Sequence, residues 1–142
     1  MIKVIPVNSE DYPILMELRN SVLRQPLGMD ISNDDLSDEA SCQFLAYYSN
    51  NEEMLGCLKI KKLDDNTFQI QQMAVIPDHQ GQGIGSALLK KAEKLIREQG
   101  GEKVVIEARD YALPFYKKYG YQESGEKYEK INIPHHLMRK YI

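Results

Sequence analysis

The sequence predicts an α/β (α+β) fold, a mixed sheet with helices packed against it, and three patterns predict it. A short apolar strand runs into a glycine-punctuated turn, an amphipathic helix and a second short strand, which is a crossover unit with parallel strands. Ahead of it, Gln43 to Ser49, Met54 to Leu63 and Phe68 to Ile76 read as an antiparallel meander. Behind it, Tyr121 to Lys130 and His135 to Tyr141 can supply two last strands.

Lys3 to Val7 reads as the first strand. Ile14, Leu15, Leu18, Val22 and Leu23 then form a helical stripe that ends before Pro26 and Gly28. Met29 to Ser41 is weakly patterned and acidic, with Asp30, Asp34, Asp35, Asp38 and Glu39; its carboxylates either favour a cationic ligand or form a solvated face. Asn50-Asn51 and Asp64-Asp65-Asn66 turn the meander. In the crossover helix Ile84, Leu88, Leu89, Ala92, Leu95 and Ile96 share one stripe, while Lys90, Lys91, Glu93, Lys94, Arg97 and Glu98 face away. Gly100 and Gly101 stop it, and Lys103 to Ala108 follows as a strand built on Val104, Val105 and Ile106. The order is strand, helices, three strands, helix, strand, helix, two strands, the last two separated by Ile133-Pro134, with no repeat or linker.

A length of 142 residues sets one domain over 1–142. A net charge of −3 and a pI near 5.6 give no reason to expect nucleic acid or an anionic membrane as partner. Met1 to Val7 is too short an apolar start for a signal peptide, and no apolar run is long enough to cross a membrane, so a cytoplasmic location is expected. Cys42 and Cys57 suit a reducing compartment and lack metal-binding spacing. His79, His135 and His136 add no ligand set, so no metal is expected; His79 reads as a solvated turn residue.

Gln72 to Ser86 is the stretch that carries chemistry. Gly81, Gly83 and Gly85 leave the backbone bare where the first helical N–H groups have no intrahelical partner, and the positive end of the helix dipole points the same way. That is a cradle for phosphate or pyrophosphate, although glycines also serve tight turns. A P-loop would need Lys followed by Ser or Thr after its last glycine, and Ile84, Gly85, Ser86 and Ala87 do not provide it. A dinucleotide fingerprint would need its third glycine at position 86, which is Ser, and would turn directly out of its strand, whereas Pro77 to Gln80 intervene; only Glu107, at the end of the next strand, suits it.

Gln80-Gly81-Gln82-Gly83-Ile84-Gly85 resembles the acyl-CoA-binding signature of the GCN5-related N-acetyltransferase (GNAT) superfamily, and Ala74-Val75-Ile76-Pro77-Asp78 resembles the strand end and turn that introduce it. Downstream, Ala112-Leu113-Pro114-Phe115-Tyr116-Lys117-Lys118-Tyr119-Gly120-Tyr121 resembles the family's second signature. The resemblance covers nearly the whole chain, strongest from about 68 to 121 and weakest before 42. It implies a mixed, twisted, largely antiparallel sheet of about six to seven strands flanked by about four helices, with a splayed parallel strand pair at its centre. It also implies acetyl-CoA as co-substrate. Backbone groups of Met73 and Val75 would bond the pantetheine arm, and Gln80, Gly81, Gln82, Gly83, Ile84, Gly85 and Ser86 would hold the pyrophosphate.

The implied reaction is direct attack of a primary amine, on a small molecule or a peptide, upon a thioester. The amine must lose a proton, the oxyanion must meet a donor and the thiolate must be reprotonated. A backbone N–H near Val75 would polarise the carbonyl. Tyr116 is the candidate acid, against the alternative of core packing, a role that Phe115 fits better within the signature. Where many relatives carry a Glu, this chain has Gln69-Ile70-Gln71-Gln72, and Gln takes no proton at neutral pH. Water, His135 or His136 remain as the base, the histidines having surface or structural roles as alternatives. Arg109 either meets a phosphate or pairs with Glu107. A non-catalytic acyl-CoA-binding module is the alternative function, and a homodimer is left open.

Overall fold

The computed structural model describes every residue from Met1 to Ile142. Its strands are β1 (Ile2–Val4), β2 (Gln43–Tyr48), β3 (Met54–Lys62), β4 (Thr67–Val75), β5 (Lys103–Arg109), β6 (Gln122–Glu123), β7 (Tyr128–Lys130) and β8 (Ile133–Tyr141). Its helices are α1 (Tyr12–Leu23), α2 (Ile84–Glu98) and α3 (Leu113–Lys118). One sheet takes the order β1-β2-β3-β4-β5-β8-β6, with β7 also on β8. Every pairing is antiparallel except β4 with β5.

The expected elements are present, with departures that have local causes. The first strand stops at Val4 because Ile5 gives the last ladder bond, to the Phe44 carbonyl, and Pro6 has no N–H to continue it. The final stretch makes three strands, for a total of eight: Gly125, at φ +89°, breaks the run from Tyr121 to Lys130. Ile133-Pro134 belongs to β8, where Pro134 lies beyond the last partner from β5 and interrupts no bond to it. Between α1 and β2, Pro26 and Gly28 allow only 3₁₀ turns, at Gln25–Leu27, Ile31–Asn33 and Glu39–Ser41, so three α-helices stand where about four were expected.

The two faces of the sheet carry separate cores. Leu15, Leu18 and Leu23 of α1 pack on Phe44, Ala46, Tyr48, Cys57 and Ala74. Ile84, Leu88, Leu89, Ala92 and Ile96 of α2 pack on Leu45, Leu58, Ile60, Phe68, Ile70, Val104, Ile106 and Met138. Ile14, expected in the α1 stripe, is exposed instead. Glu93, expected to face solvent, is buried, because Tyr121 Oη donates to it at 2.7 Å and Lys140 Nζ at 2.9 Å.

A one-residue bulge divides β4. Cys57 and Lys59 of β3 are two apart, whereas their partners Ala74 and Gln71 are three apart, and the extra residue, Gln72, has φ +50°. The inserted residue reverses the alternation of side chains. Phe68 and Ile70 before it face the α2 core, while after it Ala74 faces the α1 core.

Candidate active site

The parallel pair is joined only at its start. Thr67, Phe68 and Gln69 pair with Lys103, Val104 and Val105, after which β4 bends away at the bulge and β5 continues along β8 to Arg109. The gap is a cleft of about 630 Å³, in the range of ligand sites. The Ile76 N–H donates to Leu55 of β3, so by strand alternation the main-chain groups of Met73 and Val75 point the other way, into the gap. The Val75 carbonyl already accepts a bond from Gln80 Nε2 at 2.9 Å, which ties the glycine loop to the end of β4.

The cleft continues along that loop to the start of α2. Gly81 and Gly83 have φ of +82° and +84°, a region in which a Cβ is strained, so glycine there follows from the backbone path. Ala87 makes the first helical bond, to Gly83. The amides of Ile84, Gly85 and Ser86 therefore have no intrahelical acceptor, and no side chain caps the helix. Of the nine residues expected to hold the coenzyme, Met73, Val75, Gln80, Gly81, Gly83, Ile84, Gly85 and Ser86 line the cleft. The Gln82 side chain turns to His79 Nδ1 instead, 3.1 Å away.

Tyr116 lies on the same cleft. Only 7% exposed, its ring stacks edge-on with Phe115 and Tyr121. Burial pushes its phenol up to about 12, and the hydroxyl has no partner within the chain. Phe115, expected in the packing role, packs partly buried against the α2 core and on Tyr116 and Tyr119, and also forms part of the cleft wall.

The α1 side of the cleft is polar. Lys103, Val105, Glu107 and Arg109 alternate with the buried Val104, Ile106 and Ala108, so Glu107 and Arg109 face away from α2. Burial alone would raise the Glu107 pKa. Donors from Tyr128 Oη (2.6 Å), Lys130 and Gln69 Nε2 (3.2 Å) outweigh it and hold the carboxyl below its usual range. Gln71 Nε2 bonds Gln69 Oε1 at 2.8 Å, completing a ladder along this floor. Arg109 pairs with no carboxylate: Nη2 donates to the Leu23 carbonyl and Nη1 to Tyr111 Oη.

The two candidate histidines separate. His135 is buried on the cleft wall, and its Nδ1 lies 2.8 Å from the Ile133 carbonyl, an acceptor only, so Nδ1 carries a hydrogen and Nε2, which has no partner in the chain, is the nitrogen that a neutral ring would offer as acceptor. His136 faces the other side of β8, between Asp110 (2.9 Å) and Glu123 (2.7 Å), and is not part of the cleft.

Sequence reasoning missed how the bulge is held. Arg19 is 1% exposed, and it donates to Gln72 Oε1 and to Glu39 Oε1. Glu39 also takes Tyr12 Oη and Lys59 Nζ. The acidic segment therefore divides: Asp30 and Asp35 are exposed, as a solvated face would be, whereas Asp34 pairs with Arg24, Asp38 with Lys59 and Lys61, and none of the five lines the cleft. The one available signal was the buried-side position of Arg19 beside Leu15 and Leu18 on α1.

A family model for the acetyltransferase (GNAT) domain matches residues 23–142. The uncharacterised N-acetyltransferase YjcF of Bacillus subtilis is 27% identical over 140 residues, spanning 96% of this chain and 97% of that protein. Among solved structures, Tetrahymena GCN5 superposes with a TM-score of 0.81 at 18% identity, covering 100% of this chain and 96% of that one. A GNAT family acetyltransferase from Elizabethkingia anophelis with acetyl-CoA bound gives a TM-score of 0.75 at 22% identity, covering 99% and 98%. At these identities the structural likeness concerns the fold.

Proposed function

The chain belongs to the GNAT acetyltransferase family and is an acyltransferase, and from that premise we propose that residues 1–142 act as one acetyl-CoA-dependent N-acetyltransferase domain, moving an acetyl group by direct attack to the primary amine of a small molecule or peptide. The observation that carries this reading is the parted β4–β5 pair, whose main-chain edge at Met73 and the Val75 N–H faces the gap and leads to the unpaired amides of Ile84, Gly85 and Ser86. An extended arm fits the first, and a pyrophosphate the second.

The donor supplies an activated thioester. The Val75 N–H, facing the gap, stabilises charge building on the carbonyl oxygen. The amine nitrogen bonds to the carbonyl carbon as the carbon–sulfur bond breaks, and the Tyr116 proton passes to the leaving sulfur. The amine proton leaves to His135 Nε2 or to water in the cleft; His136 is too far turned away for this task. No carboxylate stands at Gln69 to Gln72, which favours the second reading, a module that binds acyl-CoA without transfer.

A thermal-shift comparison with acetyl-CoA, CoA and NAD, followed by an amine panel, tests the assignment. Saturation near 100 times Kd should add about 2.7 kcal/mol, or roughly 5 to 10 °C, with both CoA species and not with NAD. Stabilisation without transfer to any amine would leave the binding module; no stabilisation by either CoA species would remove both readings.

A further inference from the structure

Two guanidinium groups converge on the carbonyl of Leu23 at the end of α1. Arg24 Nη1 and Arg109 Nη2 both donate to it at 3.1 Å, and both side chains line the cleft. Arg24 is neutralised by Asp34, which takes its Nε and Nη2. Arg109 has only neutral partners, Leu23 and Tyr111, and keeps donors in hand. Capping of the α1 terminus does not explain it, because Arg24 already supplies a cation there.

A half-buried guanidinium on a ligand cleft with no counter-ion calls for an anion. The coenzyme's phosphates are one source. Their cradle, however, lies at the N-terminus of α2, and Arg109 stands on the opposite face of β5, beside the end of α1. Glu107 is two residues away on the same face, its carboxylate directed along the cleft floor with Gln69 and Tyr128. The floor thus sets Arg109, which has no counter-ion, beside Glu107, whose carboxylate also takes the exposed Lys130 at 3.5 Å.

We propose that the acceptor is an amine that also bears a carboxylate, an amino acid or a close chemical relative, its carboxylate seated on Arg109 and its amine on the Glu107 side of the cleft. The proposal rests on the N-acetyltransferase reading and adds the substrate class.

The test compares acceptors that differ only in the carboxylate, phenylalanine against phenethylamine and lysine against cadaverine, in transfer assays and in calorimetric titration of the CoA-bound protein. The carboxylated member should be favoured about 10- to 100-fold in kcat/KM, the value of a charge-assisted bond. Arg109→Gln should bring that ratio near one through the acceptor KM, with the KM for acetyl-CoA unchanged, and Arg109→Lys should keep part of the preference. Equal or inverted preference in the unmodified protein overturns the proposal whether or not the variants fold. A rise in the KM for acetyl-CoA in Arg109→Gln would assign the guanidinium to a coenzyme phosphate and also overturn it. If the coenzyme stabilises the protein and no carboxylated amine binds or reacts, the substrate class fails alone; if the coenzyme does not bind, the transferase reading fails and takes the proposal with it.

Discussion

Tyr116 and Glu39 show how differently a buried polar side chain can be used. The phenol of Tyr116, raised to about 12 by burial and without a partner, stays protonated throughout the working range and is free to donate. Tyr116→Phe keeps the ring packing on Phe115 and Tyr121 and removes only the hydroxyl. Turnover should fall about 10²- to 10⁴-fold, the span of general acid catalysis, with coenzyme affinity nearly unchanged. Steady-state kinetics check this, and equal kcat would take Tyr116 out of the mechanism. Glu39, in contrast, is fully engaged by Tyr12, Arg19 and Lys59. Glu39→Ala leaves the buried Arg19 without a counter-ion and Lys59 with Asp38 alone, and should destabilise the protein by about 3–5 kcal/mol, read as a drop in the urea midpoint. Because Arg19 also holds Gln72, the loss should extend to the shape of the bulge.

At the scale of elements, the β7–β8 hairpin carries a sequence that its turn does not want. Its two loop residues, Ile131 and Asn132, have φ of +49° and +60°, the pattern of a two-residue type I′ turn. Asn adopts that region readily, whereas a β-branched residue is strained there. Ile131→Asn should therefore raise stability by about 1 kcal/mol and move the melting temperature up by a few degrees, measurable by differential scanning calorimetry. A fall would show that Ile131 contributes more by packing on the cleft wall than it loses in its backbone. The end of α2 is the contrasting case, where glycine matches its position. A Cβ on Gly101 would collide with Ile96 and with Phe68 of β4, so no side chain fits where the chain leaves α2 for β5.

For the whole molecule, charge burial sets a pH window. In Asp38, Glu39 and Glu107 burial is opposed and outweighed, or matched from the start, by hydrogen bonds and cations, and all three carboxyls sit below their usual range. A depressed folded pKa adds stability that is complete above the unfolded value, about 4 to 4.5, and is lost as pH falls through the folded value. The Tyr12 and Tyr116 phenols, pushed up to about 12, act at the other end: their contribution is complete below about 10 and is lost as pH rises toward 12. Denaturant melts across pH should give a plateau between about pH 5 and 10 with losses on both sides. A maximum confined to one end of that range would contradict this account.

How much of this the chain discloses by itself depends on the range of the interaction. Local chemistry wrote the α2 stripe, the Gly100–Gly101 stop, the meander and the glycine loop, because spacing along the chain controls each of them. Both family signatures lie in such segments, so the lining of the β4–β5 cleft at Met73, Val75, Gln80, Gly81 and Gly83 to Ser86 was legible. The bulge at Gln72, the burial of Glu93, the separation of His135 from His136 and the placing of Arg109 on the cleft without a carboxylate partner were not. Each depends on partners 26 to 86 residues away, such as Asp110 for His136, Tyr121 for Glu93 and Leu23 for Arg109. Sequence by itself determined the elements and the glycine loop that opens α2, since periodicity and turn chemistry act over a few residues. Only the tertiary structure decided which polar side chains are spent on one another and which are left facing the cleft, since that balance of burial and charge exists only once distant strands meet.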